Sequence, residues 1–205
     1  MVLLAVGCCP ANGSTLATFR VVHVIDGDTI VLENGRHVRY IGIDAPEIFH
    51  KKKTAQPFGV AARAYNRKLI QGTRVTLEFD VERKDAYQRW LAYVYDKEKK
   101  LLNRLMLQRG YAYCLVIYPN TQHLNLLLQA QRAAMDKGLG IWKYWGERKE
   151  RVVGNSRTMR FHLATCPYGR RILKQNRMRF NSIREAFWEG YAPCKRCLPV
   201  SPLAR

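Results

Sequence analysis

The feature that most constrains the fold is a pair of turn signals that divides residues 18–43 into three extended segments. The first turn signal is Asp26 with Gly27, and the second is Asn34 with Gly35. Asn-Gly between apolar segments is typical of a type I′ hairpin turn, in which both residues take positive φ. The three β-branched and apolar segments predict an antiparallel meander: FRVVHVI, TIVLE and RHVRYIGI.

Helical and extended patterns alternate in the next hundred residues. Pro57 is expected to open a helix that Gly72 closes, and later helices are expected to end at Gly110 and Gly138. Two further extended segments cover residues 73–80 and 90–95. Five strands, with one helix after the third and two at the end, predict an α+β fold: a five-stranded OB-type β-barrel with three helices.

Charge separates the chain into a larger and a smaller part. The net charge is +19, of which +9 lies in residues 150–205. Such an excess favours a polyanionic partner: nucleic acid first and an anionic membrane surface second, although basic surfaces also keep proteins in solution. Residues 146–157, GERKERVVGNSR, are charged and aperiodic and predict a linker. The predicted divisions are therefore 18–145, the linker 146–157, a small unit at 158–200 and a tail at 201–205.

Residues 1–17 carry a short apolar stretch that lacks the basic start of a signal peptide. They also fit the remnant of an export signal or of a lipoprotein cleavage site, so the sequence leaves location open between secreted, periplasmic or lipid-anchored forms and the cytoplasm. Apolar runs approaching the roughly 18 to 20 residues of a transmembrane helix are absent from the sequence. We expect a monomer with no transmembrane segment.

Carboxylates and arginines cluster at the strand ends and turns of the predicted barrel. If the first turn and the end of the third strand meet, four carboxylates share one mouth of the barrel, and a hard cation such as Ca²⁺ is their natural neutraliser. Each motif alone also fits an ordinary turn or a surface ion pair. The clusters are Asp26 with Asp28; Arg39 with Asp44 and Glu47; and Asp85 with Tyr87 and Arg89.

The motifs DGDT, RYIGIDAPE and DAYQR, followed by Pro119-Asn120 and by GIW at 140–142, closely resemble the staphylococcal-type nuclease (thermonuclease) family over residues 18–145. The resemblance implies a Ca²⁺-dependent hydrolase of DNA and RNA phosphodiesters. By this resemblance the residues take the following roles: Asp28, Asp44 and the carbonyl of Ala45 as calcium ligands; Asp26 as the group orienting a nearby water; Glu47 as base or positioner for the attacking water; Arg39 and Arg89 on the phosphate; and Tyr87, Asp85, Lys51, Lys52 and Lys53 as nucleotide-binding residues.

Two positions depart from that family pattern. Ala86 stands where the family has a lysine, and Leu115 stands where an aromatic residue is expected from the register of Pro119. Tyr111, Tyr113 and Tyr118 are nearby but displaced from that position. Base preference and nucleotide affinity are therefore open, and the three lysines at 51–53 also fit a solvated charge run.

The C-terminal unit holds a histidine and three cysteines with the spacing of a tetrahedral zinc site. They are His162, Cys166, Cys194 and Cys197. Four such ligands leave no open position, which predicts a structural Zn²⁺ that supports a unit too small to bury a large core. Disulfide pairing is the alternative, in which His162 has no role.

FHLATCPYGRRI and EGYAPCKRCLP, within residues 159–200, resemble the N-terminal zinc module of the bacterial Ada DNA-repair protein. The family's first ligand is usually the cysteine that accepts a methyl group, and His162 stands in its place. The resemblance therefore implies a structural, DNA-binding accessory, with the arginines between Arg170 and Arg184 facing phosphate. Two hypotheses follow for the whole chain: an active nuclease whose zinc module aids binding, or a noncatalytic OB-fold nucleic-acid-binding protein.

Overall fold

The computed structural model describes residues 16–48, 55–145 and 149–198. Five strands close into a barrel in the order β1-β2-β3-β6-β5, and β5 pairs back onto β1. Within the barrel, every pairing is antiparallel except that of β3 with β6. This architecture confirms the predicted OB-type barrel. The strands are β1 Leu16–Val24, β2 Thr29–Leu32, β3 His37–Tyr40, β5 Arg74–Glu78 and β6 Trp90–Tyr95, while β4 Ile43–Asp44 pairs with β7 Tyr113–Cys114 outside the barrel.

The predicted hairpin forms, but its turn is not type I′. Gly35 alone has positive φ, at 76°, and the Gly35 amide donates to the carbonyl of Leu32 while the Leu32 amide donates to Arg36. This is a three-residue loop that ends in a left-handed glycine, which needs positive φ at one position instead of two. The strand register is therefore set by a longer turn than Asn-Gly alone indicates.

The three predicted helices are present, and a short fourth one follows them. Phe58 takes a left-handed conformation with φ of 65°, so the first helix begins at Gly59 and not at Pro57. The fourth helix is a single turn rich in aromatic residues that the sequence pattern did not show. The helices are α1 Gly59–Ile70, α2 Leu102–Gln108, α3 Leu124–Asp136 and α4 Trp142–Trp145.

The C-terminal part is a four-stranded sheet in the order β10-β8-β9-β11 with short helices around it. Residues 152–155, which the sequence analysis placed in the linker, form the strand β8. Ser182 caps the helix after β10 by accepting from the Glu185 amide at 3.0 Å. The elements are β8 Val152–Asn155, β9 Arg160–Leu163, α5 Pro167–Arg170, a 3₁₀ turn Lys174–Asn176, β10 Arg177–Phe180, α6 Ile183–Trp188 and β11 Ala192–Pro193.

One hydrophobic core joins the two parts of the chain. The ring of Phe187 on α6 lies 5.0 to 5.7 Å, centroid to centroid, from four aromatic rings, three of which belong to the barrel part. Gln131 on α3 also donates to the Phe187 carbonyl at 2.6 Å and accepts from the Cys114 amide. The C-terminal sheet is therefore packed onto the barrel part through buried surface. The four rings are those of Tyr113, Trp142, Trp145 and Phe161.

A polar cluster attaches the start of α3 to the barrel. The Glu78 carboxylate accepts from Tyr95 Oη at 2.6 Å and from Gln122 Nε2 at 2.6 Å, and it lies 2.9 Å from His123 Nε2. Burial opposes ionisation of Glu78, but the bonds from Tyr95 and His123 outweigh it, and the pKa of Glu78 is lowered. The ionised carboxylate therefore stabilises the folded state.

We predict that this stabilisation is lost in acid. A carboxylate with a lowered pKa contributes its full stabilisation above its unfolded value near 4.5, and it loses this contribution as pH falls through the lower folded value. The free energy of unfolding, measured in urea between pH 6 and pH 3, should fall less in Glu78→Gln than in the wild type. Equal losses in both proteins would contradict the assignment.

Candidate active site

The turn at residues 26–28 lies directly against the end of β4. A Cβ atom on Gly27 would meet the Cβ atoms of Ala45 at 2.6 Å and Ala62 at 2.9 Å, so only glycine permits this approach. The Ala45 amide then donates to Asp28 Oδ2 at 2.5 Å. The close approach confirms the expectation that the first turn and the chain after β3 meet in space.

Arg39 lies between the two central carboxylates. Its guanidinium is 3.1 Å from Asp28 Oδ2 and 2.9 Å from Asp44 Oδ1, and it also donates to the carbonyls of Tyr40 and Ile43 at 3.1 and 2.8 Å. Only 12% of its side chain is exposed. Arg39 on β3 is therefore a fixed cation with donors committed to both carboxylates.

The two buried aspartates differ in their electrostatics. Burial raises the pKa of Asp28 well above its usual value, only partly offset by Arg39, and Asp26 and Asp44 add to the rise. Burial would also raise the pKa of Asp44, but Arg39, Lys195 and a hydrogen bond from Tyr113 outweigh it, so that the pKa of Asp44 is lowered. Negative charge at Asp28 is thus incompletely compensated by the protein itself.

Asp26 organises the turn that carries Asp28. Asp26 Oδ1 accepts from the Asp28 amide at 3.0 Å, and the Asp26 carbonyl accepts from Asn66 Nδ2 on α1 at 3.1 Å. The fully buried Asn66 in turn accepts from the hydroxyl of Tyr40. The turn is therefore attached to both α1 and β3.

Glu47 stands at the more open side of the same group of carboxylates. Gln56 fixes its backbone by exchanging hydrogen bonds of 2.9 Å with the Glu47 amide and carbonyl, and a Cβ on Gly59 would lie 2.7 Å from the Glu47 carbonyl. Its side chain is 37% exposed. Burial raises the pKa of Glu47, and the negative charges of Asp26 and Asp44 raise it further.

The DAYQR loop positions Arg89. Asp85 Oδ1 accepts from the amides of Tyr87 and Arg89 at 2.9 and 3.0 Å, and Asp85 Oδ2 lies 2.8 and 2.7 Å from Arg89 Nε and Nη2. Gln88 has φ of 64°, which closes the loop tightly. Asp85 is thus committed to Arg89, while the Tyr87 ring is 82% exposed beneath the guanidinium at 5.6 Å.

These groups line a single cleft of about 450 Å³. Its wall near Pro119 is aliphatic, formed by Leu115 and Ile117, where the family resemblance leads one to expect an aromatic residue. Lys84 lines the cleft beside Ala86, the position that lacks the expected lysine. The predicted carboxylates and arginines that line the cleft are Asp26, Asp28, Arg39, Asp44, Glu47, Asp85 and Arg89.

Two residues of this site were missed by sequence reasoning. Tyr113 on β7 is buried and donates to Asp44 Oδ2 at 2.6 Å. Lys195, from the CKRC segment, lies 3.0 Å from Asp44 Oδ2 and 3.9 Å from Glu47 Oε1. The pairing of β4 with β7 could have suggested Tyr113, but the local pattern around Lys195 indicates only a metal knuckle.

A second cluster lies in the C-terminal sheet. Four side chains each bring one potential ligand atom to this cluster, and these four atoms all lie within 4.8 Å of one another. The four residues are His162, Cys166, Cys194 and Cys197. The thiols at 114, 166, 194 and 197 are unpaired, so there is no disulfide within the described ranges. Burial lowers the pKa of His162, as does Arg160, which favours the neutral imidazole that binds metals. The four predicted residues thus form a group that could hold a metal ion.

The six basic residues between positions 170 and 184 fall into two groups. Arg184 donates to Asp136 at 2.7 Å and to the Met135 carbonyl, so it secures α6 to α3. The others are exposed on and before β10: Arg170, Arg171, Lys174, Arg177 and Arg179.

Lys51, Lys52 and Lys53 lie outside the described residues. Among the described residues, no helix has both the length and the apolar character needed to cross a membrane.

Sequence comparison identifies the family of this barrel with its cleft of carboxylates and arginines. Residues 37–144 match the family described as staphylococcal nuclease homologue. The thermonuclease of Staphylococcus intermedius is 38% identical over 129 residues, which cover 62% of this chain and 76% of that protein. The thermonuclease of Staphylococcus hyicus is 34% identical over 128 residues, and endonuclease YncB of Bacillus subtilis is 38% identical over 141 residues, 66% of each chain. This chain belongs to the staphylococcal nuclease homologue family.

Proposed function

We propose that this protein is a Ca²⁺-dependent nuclease that hydrolyses both DNA and RNA, and that its C-terminal part holds a structural Zn²⁺ and aids binding of the polymer. The phosphodiester-hydrolysing class follows from its family and from thermonuclease and endonuclease relatives at 34–38% identity. The observation that carries the finer proposal is the meeting of Asp28, Asp44 and Arg39 in one cleft with Glu47 and Arg89.

The donor set of the cleft fits calcium. By the family resemblance the ligands would be oxygens only, from Asp28, Asp44 and the Ala45 carbonyl, and hard cations prefer such ligands. The raised pKa of Asp28 reports negative charge that the protein leaves incompletely compensated, which a bound dication would stabilise. A calcium ion held there would supply positive charge against the phosphate and the attacking water. Asp26 would orient this ligand group through its bond to the Asp28 amide.

The remaining groups divide the work on the phosphodiester. Glu47, the more exposed carboxylate, would orient and deprotonate the attacking water. Arg39 and Arg89 would place positive charge beside the phosphate oxygens, where negative charge grows during the reaction. Asp85 acts on the nucleotide indirectly, by holding Arg89, and the exposed Tyr87 is left to contact the terminal phosphate. Lys51, Lys52 and Lys53 would contact the backbone of a longer polymer.

A noncatalytic binding protein is the other function to test. The full chain should be incubated with supercoiled plasmid and with a defined RNA, and both degradation and retardation on a gel should be measured. Calcium-dependent degradation of both polymers supports the proposal. Retardation of either polymer without degradation in calcium would favour the noncatalytic binder, and degradation of one polymer alone would overturn the lack of sugar preference.

The His162 and cysteine cluster supports a zinc assignment through its chemistry. Thiolates and a neutral imidazole at mutual distances of at most 4.8 Å suit tetrahedral Zn²⁺ with no open position. Such an ion would fix the CKRC segment to β9 and the start of α5. The resemblance to the Ada zinc module stays a prediction, because the family match ends at residue 144.

We predict that elemental analysis finds about one zinc per chain, and that Cys194→Ser loses it because a neutral hydroxyl is a poor substitute for a thiolate. Cys114→Ala is the matched control, since Cys114 is a buried thiol away from the cluster, and it should keep its zinc. Equal zinc content in wild type and Cys194→Ser would remove Cys194 from the ligand set.

The exposed basic residues of β10 and the turns before it supply the proposed contact with the polymer. Arg170, Arg171, Lys174, Arg177 and Arg179 face solvent from one stretch of the C-terminal sheet. Phosphate contacts of this kind make binding steeply dependent on salt. Because the C-terminal part shares a core with the barrel, their contribution is best tested by charge neutralisation in the full chain and not by truncation.

A further inference from the structure

We propose that Lys195 is a further residue of the proposed calcium site: a tethered cation that occupies its carboxylates and sets its affinity for calcium. The inference rests on the proposed function, and it concerns a residue outside the matched family region, which ends at residue 144. It links the C-terminal knuckle to the cleft of the barrel.

The contact joins residues 151 positions apart. Lys195 Nζ lies 3.0 Å from Asp44 Oδ2, 3.3 Å from Asp44 Oδ1 and 3.9 Å from Glu47 Oε1. An ammonium group therefore bridges a proposed metal ligand and the proposed base. The lysine is also among the residues that line the cleft.

The backbone that carries Lys195 is fixed by the C-terminal sheet. The preceding strand β11 pairs in parallel with β9, and the Cys194 amide donates to the Phe161 carbonyl at 2.9 Å. Arg160 Nη1 further donates to the Pro193 carbonyl at 3.1 Å. Phe161 itself packs on Phe187 in the shared core. The backbone next to Lys195 is therefore held in place by the C-terminal sheet, and the lysine side chain extends from it into the cleft.

The side chain of Lys195 is more exposed than that of Arg39, its neighbour in the ion cluster. Arg39 is 12% exposed and binds two backbone carbonyls in addition to the aspartates, whereas the Lys195 side chain is 52% exposed and its ion-pair partners are Asp44 and Glu47. When a dication approaches Asp44, moving the Lys195 side chain into solvent breaks fewer hydrogen bonds than moving Arg39. Lys195 is therefore the displaceable cation of the pair.

Displacement has a cost that appears as weaker calcium binding. Asp44 already receives Arg39 on Oδ1 and Tyr113 on Oδ2, so the ammonium and a calcium ion would compete for the same oxygens. Two cations held a few ångströms apart also repel each other. In bulk water, a dication and an ammonium group about 6 Å apart repel each other enough to change the affinity about tenfold.

The test is calcium binding by the full-length protein, measured by titration calorimetry and by the calcium concentration that gives half-maximal plasmid cleavage. Lys195→Met should bind calcium about tenfold more tightly than wild type, and the half-maximal concentration should fall by the same factor. Arg196→Met is the matched control, because it removes one charge from the same knuckle while Arg196 contacts the Tyr168 ring and hydroxyl. Its calcium affinity should stay within about twofold of wild type.

The wild-type titration tests the proposed function, and the difference between variants tests the role of Lys195. Wild-type protein that neither binds calcium nor cleaves with it would overturn both. Wild-type binding with no change of affinity in Lys195→Met, or an equal change in Arg196→Met, would overturn the competition alone. Lower cleavage at saturating calcium with unchanged affinity would also overturn it, and would assign the lysine to the substrate phosphate.

Discussion

Replacing Glu47 by glutamine is expected to lower the rate of plasmid and RNA cleavage by about 10²- to 10⁴-fold at saturating calcium. The amide keeps the shape of the side chain but cannot accept a proton from the attacking water. The hydrogen bonds from Gln56 and the close contact with Gly59 involve only the main chain of residue 47, so they remain in the variant. The measurement is the initial cleavage rate, compared at equal occupancy of the polymer.

A surface glutamate provides the control for this change. Glu98 is exposed and pairs with Lys100 away from the cleft, so Glu98→Gln should cleave at the wild-type rate. Polymer binding by Glu47→Gln should persist, because the arginines and the basic C-terminal residues are intact. A Glu47→Gln rate within about threefold of wild type would show that Glu47 is not the base.

Truncating Phe187 to alanine is expected to lower the free energy of unfolding by about 3–5 kcal/mol. The ring is 1% exposed and contacts the aromatic rings of Tyr113, Trp142, Trp145 and Phe161, so its removal leaves a cavity between the barrel part and the C-terminal sheet. Urea unfolding followed by tryptophan fluorescence should show one transition that moves as a whole.

The exposed Leu173→Ala should change the unfolding free energy by about 0.5 kcal/mol or less. If Phe187→Ala instead splits unfolding into two transitions and moves only one of them, the two parts fold independently. The shared core would then be an interface between units that are stable alone, and the rigid delivery of Lys195 to the cleft would lose its basis.

Most strands and helices of the barrel part could be predicted, because the residue patterns that specify each of them lie within the element or next to it in the sequence. Strand alternation, the turn glycines and the helix stops at Gly110 and Gly138 correspond to the observed elements. The hairpin type was wrong because Asn-Gly is also compatible with a longer loop in which only Gly35 has positive φ. The strand at 152–155 was missed because its partners, β9 and β10, follow it in the chain and leave no periodic signature within GERKERVVGNSR.

The candidate site was predictable only as far as its motifs reach. DGDT and RYIGIDAPE carry the carboxylates and Arg39, and the structure brings them together as their strand positions require. Tyr113 and Lys195 reach Asp44 through tertiary packing over 69 and 151 residues, respectively, which no local spacing encodes. For the same reason the charge of residues 150–205 suggested an independent unit, whereas Phe187 packs the C-terminal sheet against α4 and β7.

The most direct test of the central claim is calcium-dependent cleavage in a reversible experiment with the full chain. Supercoiled plasmid is incubated with protein and calcium, then with a chelator in excess, and then with calcium restored, while elemental analysis confirms that the metal of the C-terminal cluster is unchanged. We predict cleavage in the first condition, its loss in the second and its return in the third. Cleavage that persists with the chelator, or that fails to appear with calcium, would contradict a calcium-dependent site built on Asp28, Asp44 and Glu47.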